Sequence, residues 1–113
     1  MAKYYNDKLS GLPLKTPFVA SYSTHIYHQY VLRVLRNRDG LMNYLQGKGI
    51  DSRVFYPIPL HLQKCFKYLG YKKGDIQRAE NAAKETLAIP VDPGLTLEER
   101  EYIVASIKEF ING

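Results

Sequence analysis

Two closely spaced prolines restrict most strongly how this chain can fold. Pro57 and Pro59 each lack the backbone N–H that a sheet ladder requires, so neither can continue a central strand. Residues 56–60 are therefore predicted to form a stiff extended loop. The apolar run before it, residues 50–56, is predicted to be a strand. Loops that leave a strand in this way often carry binding groups.

The apolar pattern of the remaining chain alternates between helix and strand periods. Helices are predicted at residues 3–12, 37–46, 62–69, 75–87 and 96–111, and strands at residues 26–34, 50–56 and 87–91. Asn37, Asp75 and Thr96 are the predicted helix caps, and Thr96 has the spacing of a capping box with Glu99. This order predicts an α/β (α+β) fold in which helices cover a small sheet of about three strands.

The length and charge of the chain narrow its possible functions. Its 113 residues match one domain, 1–113, and are too few for a typical two-domain enzyme. Residues 1–73 hold twelve Lys and Arg against three Asp and Glu, a balance of +9, whereas residues 74–113 hold four against eight, a balance of −4. An anionic ligand is expected to favour the first part.

The apolar stretches and the cysteine content point to a cellular compartment. The chain has neither a run of 18 apolar residues nor the apolar stretch of a secretion signal at its N-terminus, so we expect no membrane span. Its single cysteine, Cys65, excludes an internal disulfide and suits a reducing environment. Both observations favour a cytoplasmic protein.

Four side chains resemble metal ligands in type but not in spacing. His25 and His28 are three residues apart in a predicted strand and would point to opposite faces, so only His61 and Cys65 could share a helical face. We therefore expect no metal site. Cys65 is expected to be a buried small thiol, because a catalytic thiolate needs an oriented base that the sequence does not identify.

Tyrosines are concentrated in the basic part of the chain. Nine of the ten lie at or before Tyr71. Aromatic rings interleaved with cations can stack on bases and bind phosphates, so one hypothesis is a stand-alone basic, Tyr-rich binding module for nucleotide-sugars or nucleic acid. Nucleic acid is the weaker alternative, because the signature of an RNA-recognition sheet is missing. The other interpretation is that the tyrosines pack in strands and helices.

The proline segment has two interpretations when only its residues are considered. Pro57 and Pro59 would hold Tyr56, His61 and Gln63 on a rigid loop, which suits a binding site. The same segment could equally be a rigid connector whose aromatic side chains only pack.

A series of short motifs resembles the C-terminal part of the DegT/StrS family of nucleotide-sugar aminotransferases, which use pyridoxal phosphate. In chain order, the matching segments are residues 25–33, Gly49-Ile50, residues 56–63, residues 69–71, Ala79-Glu80, residues 87–90, and Leu95-Thr96 followed by Glu99. The block Tyr-Pro-Ile-Pro-Leu-His at residues 56–61 is the specific part of this resemblance. It extends over nearly the whole chain, from about residue 2 to residue 111.

The resemblance implies the small C-terminal domain of a fold-type-I aminotransferase. Residues 1–12 would then be the end of the helix that links the two domains, which agrees with the absence of a cap before that helix. The family's Schiff-base lysine lies upstream of the matching region, so no catalytic or cofactor-binding residue is assigned here, and the chain alone is expected to be inactive. The implied partners are the N-terminal large domain of the same enzyme and, in the full-length family, a second subunit of a homodimer.

The same resemblance implies which residues face the substrate. The full enzyme would transfer an amino group from glutamate to a keto nucleotide-sugar, for polysaccharide or glycoside synthesis. Phe55, Tyr56 and His61 would be substrate-binding, with Pro57 and Pro59 shaping the loop. The chain departs from the family at Phe55, where many members carry histidine, so we expect a stacking contact in place of a hydrogen bond.

Overall fold

The computed structural model describes residues 2–113, and within that range the chain forms four α-helices, three β-strands and two 3₁₀ segments. The helices are α1 (Ala2–Lys8), α2 (Arg38–Gly47), α3 (Gln77–Glu85) and α4 (Leu97–Asn112), the strands are β1 (Leu14–Lys15), β2 (Tyr30–Val34) and β3 (Thr86–Ile89), and the 3₁₀ segments are Leu60–Leu62 and Lys64–Leu69. None of the helices in this range is long and apolar enough to cross a membrane.

The sheet of residues 2–113 is antiparallel, with its three strands in the order β1-β2-β3. Leu14 is opposite Val34, and Tyr30 is opposite Ile89. The predicted class, a small sheet covered by helices, is confirmed. One strand was not predicted from the sequence: β1 lies between the helix predicted at residues 3–12 and the strand predicted at residues 26–34. It forms because pairing with β2 buries Leu14 in the core.

Two of the predicted strands differ from the structure. Residues 50–56 do not form a strand; the segment meets β3 only at Arg53, whose backbone exchanges hydrogen bonds of 3.1 and 2.7 Å with Ala88. Pro57 then prevents a longer ladder. The run 26–34 contributes only its second half, because Tyr27 has a φ of 52° and donates its N–H to His25 Nδ1 at 2.8 Å, which turns the chain before β2.

Two of the predicted caps are confirmed and one is wrong. The Thr96 hydroxyl accepts from the Glu99 amide while the Glu99 carboxylate accepts from the Thr96 amide, each at 3.1 Å, so the capping box is formed. Asn37 caps α2 by accepting from the Gly40 amide. Asp75 does not cap α3, because its carboxylate accepts from the Lys72 amide at 2.7 Å inside the preceding turn.

Side chains from all four helices and the sheet contribute to the buried core or pack against it. Helix α1 is attached through Tyr5, which is fully buried and donates from its hydroxyl to the Pro90 carbonyl at 2.6 Å. The Tyr5 ring lies 4.9 Å from that of Tyr30, whose hydroxyl donates to Asn6. Burial raises the pKa of both tyrosine hydroxyls above the ordinary range. The helix ends at Lys8, earlier than expected.

Candidate functional site

The proline loop presents two aromatic side chains to solvent. Phe55 is 42% exposed and Tyr56 is 67% exposed, and their rings meet edge to face with centroids 5.9 Å apart. Beyond Pro59, the chain closes into a 3₁₀ turn in which the Leu62 amide donates to the Pro59 carbonyl at 2.9 Å. Phe55 and Tyr56 are therefore placed where a ligand can reach them.

The loop is attached to α3 by a buried polar contact. His61 and Glu80 are buried, and His61 Nε2 lies 3.1 Å from Glu80 Oε2. The Tyr71 ring meets the His61 ring edge to face at 6.1 Å. His61 lies in the 3₁₀ turn and Glu80 lies in α3, so this contact holds the turn against the helix.

The Glu80 carboxylate also organises the start of α3. It accepts from the Gly74 amide at 2.8 and 2.9 Å and from the Ile76 amide at 3.3 Å. The Gly74 hydrogen bond lowers the pKa of Glu80 below its ordinary value; burial acts in the opposite direction, and His61 adds to the lowering. Gly74 has a φ of 96°, a conformation that favours glycine, so the residue type at 74 suits this arrangement.

An apolar surface groove of about 430 Å³ lies beside the His61–Glu80 contact. The residues that line this apolar groove are Leu60, His61, Phe66, Leu69, Tyr71, Ile76 and Ala79. Several of them are large apolar side chains with considerable exposure, including Leu60 at 65% and Leu69 at 53%. Exposed apolar surface of this kind is typical of a contact region.

A second pocket, of about 330 Å³, is lined by a different part of the chain. This pocket, which we call the Phe55 pocket, is lined by His28, Gln29, Asp51, Ser52, Arg53, Phe55 and residues 88–91. Unlike the apolar groove, it combines hydrogen-bonding side chains with an apolar floor from the end of β3.

The structure places the sequence-predicted site residues in two neighbouring environments. Phe55 lines the Phe55 pocket, whereas His61 is buried beside the apolar groove. Pro57 and Pro59 lie between them, with Tyr56 exposed. The structure therefore brings the predicted substrate-binding residues onto one loop but not into one cavity, and their roles stay predictions.

Sequence reasoning quoted Glu80 only as part of the family resemblance, without a role, and did not single out Ser52. Glu80 is separated from His61 by 19 positions, and nothing in the local pattern indicates that the two side chains meet. Ser52 lies in the predicted strand, where alternation would indicate only which face it occupies.

The structure also shows where the candidate metal ligands and Cys65 lie. Among residues 2–113, no group of three or more His, Cys, Asp or Glu side chains is arranged to hold a metal ion. The expectation of a buried Cys65 is wrong: the side chain is exposed, because the 3₁₀ segment Lys64–Leu69 has no buried residue.

Tyr30 is a core residue, Tyr27 packs partly buried against the core, and His28 is exposed.

Comparisons with known proteins agree on one family. The DegT/DnrJ/EryC1/StrS aminotransferase family matches residues 1–108. The chain is 48% identical over 86 residues to the pleiotropic regulatory protein of Geobacillus stearothermophilus. The matched region covers 76% of this chain and 23% of that protein. It is 30% identical over 111 residues to the dTDP-3-amino-3,4,6-trideoxy-alpha-D-glucose transaminase of Streptomyces venezuelae, covering 97% of this chain and 29% of that protein.

The fold is shared with a solved structure. The crystal structure of S. venezuelae DesV in complex with a ketimine intermediate has a TM-score of 0.93 and 29% identity, covering 99% of this chain and 30% of that chain. This chain thus spans less than a third of the length of these relatives. The family match over most of the chain and the shared fold lead to one conclusion: the chain belongs to the DegT/DnrJ/EryC1/StrS aminotransferase family.

Proposed function

We propose that the chain is the C-terminal domain of a pyridoxal-phosphate-dependent aminotransferase that transfers an amino group from glutamate to a keto nucleotide-sugar. The observation that carries this proposal is the similarity over nearly the whole chain to a dTDP-sugar transaminase, together with the TM-score of 0.93 to DesV. A UDP-sugar aminotransferase from Acidithiobacillus ferrooxidans, 32% identical over 112 residues, supports the same substrate class. The proposal includes a cytoplasmic location and a product used in polysaccharide or glycoside synthesis.

Within this function, the proline loop would form the substrate side of the domain. The exposure of Phe55 and Tyr56 supports this role, because both rings are free to contact a ligand. His61 would act on the substrate side while its Nε2 is held by Glu80, so its orientation depends on α3.

The lysines of this chain do not fit the position that pyridoxal phosphate requires. A Schiff-base lysine works from an enclosed pocket where its ammonium is partly desolvated. Every lysine in residues 2–113 is exposed or half-exposed. We therefore assign the cofactor lysine to a segment outside this chain, and the chain alone is expected to lack transaminase activity.

Exposed apolar side chains support contact with another part of the enzyme. The apolar groove presents Leu60, Leu69 and Tyr71 with half or more of their surface accessible. Surfaces of this type are normally covered in a complete assembly. The proposed cover is the N-terminal large domain of the same polypeptide, within a homodimer.

The proposed function is tested with the complete polypeptide that carries this chain. The purified enzyme, loaded with pyridoxal phosphate, is mixed with glutamate and a panel of dTDP- and UDP-linked keto-sugars, and 2-oxoglutarate release is measured. We expect glutamate-dependent amination of at least one nucleotide-sugar. The 113-residue chain with free cofactor is the control and is expected to show no turnover above the cofactor alone.

The outcomes separate the proposed function from the binding-module hypothesis. Amination by the complete polypeptide supports the proposal. Saturable binding of nucleotide-sugars by a polypeptide that never consumes glutamate would instead identify a binding module. Binding of RNA with a steep salt dependence and no preference for nucleotide-sugars would identify a nucleic-acid module.

A further inference from the structure

Several hydrogen-bond donors converge on the carboxylate of Glu80. Its Oε2 atom lies 3.1 Å from His61 Nε2 and accepts from the Gly74 and Ile76 amides at 2.9 and 3.3 Å, while Oε1 accepts from the Gly74 amide at 2.8 Å. The side chains of His61 and Glu80 are only 4% and 10% exposed. A carboxylate surrounded by donors in this way is ionised, because the protonated form would place a hydrogen against another donor.

The ionised carboxylate determines which nitrogen of His61 carries the proton. A carboxylate can only accept hydrogen bonds, so its contact with His61 Nε2 requires that Nε2 donates. In a neutral histidine, a proton on one ring nitrogen leaves the other nitrogen as an acceptor, and the hydrogen bond already made selects between the two forms. Glu80 therefore keeps Nδ1 of the neutral His61 ring unprotonated, as an acceptor.

The same contact fixes the position of the His61 ring. His61 belongs to the 3₁₀ turn that follows Pro59, whereas Glu80 lies in the first turn of α3. The Tyr71 ring meets the His61 ring edge to face, with centroids 6.1 Å apart. A buried ring held by a hydrogen bond and an aromatic contact has few other orientations. The proline loop therefore ends at a fixed point on α3.

The backbone in turn holds the Glu80 carboxylate in place. Gly74, at a φ of 96°, donates its N–H to both carboxylate oxygens, and Ile76 donates immediately before α3. A carboxylate that is anchored by backbone donors can orient a histidine ring. In metal enzymes, carboxylates placed behind histidine ligands fix the tautomer and the orientation of the ring in the same way.

We propose that Glu80 is a positioning residue of the aminotransferase, which selects the Nε2–H tautomer of His61 and fixes the proline loop on the substrate side. This inference rests on the proposed function, because the substrate-side role of the loop is taken from it. It adds a residue that acts through another side chain. Its loss is expected to impair the use of the nucleotide-sugar and to leave the reaction with glutamate intact.

The first test is the kinetics of Glu80→Gln in the complete polypeptide. This change keeps the shape of the side chain but adds an amide donor where donors already converge. We expect the KM for the nucleotide-sugar to rise about tenfold. The glutamate half-reaction, followed by cofactor absorbance, should stay within about twofold of the wild type, whereas a merely destabilised enzyme would lose both activities together. Glu85→Gln, on the same helix but paired with Arg33 at 3.0 Å, is the matched control and should change neither value.

The second test identifies the tautomer of His61 directly. Two-bond proton–nitrogen correlation spectra are recorded on the complete polypeptide with isotopically labelled histidine, at a pH where the ring is neutral. The His61 signals are identified by their loss in His61→Gln. We expect the Nε2–H pattern in the wild type, and the Nδ1–H pattern in Glu80→Gln, whose amide donates to Nε2. Glu80→Asp keeps a carboxylate and is expected to keep the Nε2–H pattern with a smaller rise in KM.

Each result either supports or overturns the inference. A higher KM for the nucleotide-sugar with an unchanged glutamate half-reaction, together with the change of tautomer, supports it. An Nδ1–H ring in the wild type overturns it even if Glu80→Gln does not fold. An unchanged KM in Glu80→Gln, or an equal loss in both half-reactions, also overturns it, while wild-type activity leaves the proposed function standing. If the wild type aminates no nucleotide-sugar, the proposed function fails together with this inference, which is a distinct outcome.

Discussion

His61 Nε2 and the Glu80 carboxylate lie 3.1 Å apart, and both side chains are buried although 19 positions separate them in sequence. The contact joins the turn after the proline loop to the first turn of α3. The same carboxylate accepts from the Gly74 amide, so one side chain holds both the loop and the segment before the helix. The position of the proposed substrate loop thus depends on a residue outside it.

The Glu80 contacts predict that the difference in stability between the wild type and Glu80→Gln depends on pH. The pKa of Glu80 is lowered in the folded chain, chiefly by the hydrogen bond from the Gly74 amide. The ionised carboxylate therefore stabilises the fold at pH values above 4.5, the ordinary pKa of this side chain. This stabilisation declines as the pH falls below 4.5. Glu80→Gln cannot titrate. We expect it to be less stable than the wild type at pH 7, with the difference narrowing towards pH 3.

Urea denaturation followed by circular dichroism at pH 7, 4.5 and 3 measures this difference. Glu101→Gln, at an exposed position on α4, is the control for removing one carboxylate. A difference for Glu80→Gln that widens as the pH falls would contradict the assignment.

The Ser52 hydroxyl, which has no hydrogen-bond partner in the described part of the chain, gives an unusual expectation for stability. A buried polar group without a hydrogen bond destabilises the fold, so its removal relieves a desolvation penalty. We expect Ser52→Ala to leave the free energy of unfolding unchanged or to raise it by about 1 kcal/mol. Urea denaturation checks this, and a loss of stability would show that the hydroxyl has a structural partner.

The Tyr5 hydroxyl is expected to stabilise the attachment of α1. Its removal in Tyr5→Phe leaves the Pro90 carbonyl without this donor while the ring stays in the core. We expect a loss of about 1–2 kcal/mol in the free energy of unfolding. Tyr4→Phe, at a half-buried ring on the same helix, is the matched control; an equal loss in both would mean that the Pro90 contact is unimportant.

The capping box of α4 is a local contribution that can be measured separately. Thr96→Ala removes the acceptor for the Glu99 amide at an exposed position. We expect it to lower the free energy of unfolding by about 1 kcal/mol. Thr96→Ser keeps a hydroxyl and is expected to restore most of the stability; if serine is no better than alanine, the cap is not the cause.

The exposed tyrosine of the proline loop has a functional prediction. In the complete enzyme, Tyr56→Phe is expected to raise the KM for the nucleotide-sugar several-fold, because a hydroxyl contact to the ligand is lost. The cofactor absorption spectrum should not change. Tyr68→Phe, at another highly exposed tyrosine, controls for loss of a surface hydroxyl. An altered cofactor spectrum in Tyr56→Phe would show that the residue is misplaced.

Local sequence signals predicted the parts of the fold that depend on near neighbours. The Thr96–Glu99 spacing, the Asn37 cap and the prolines each act within a few residues, so their effects can be inferred without knowing the rest of the chain. The Asp75 cap failed because a second local donor, the Lys72 amide, competes for the same carboxylate. Local rules cannot rank two such partners.

The sequence by itself determined the α/β class, the family resemblance and the stiff loop at Pro57 and Pro59, because these follow from periodicity, residue order and proline geometry. Only the tertiary structure decided which segments pair in the sheet, that Glu80 holds His61, and that the buried Ser52 hydroxyl finds no hydrogen-bond partner among residues 2–113. These depend on contacts between residues far apart in the chain, which are set by how the whole core packs and not by any local pattern.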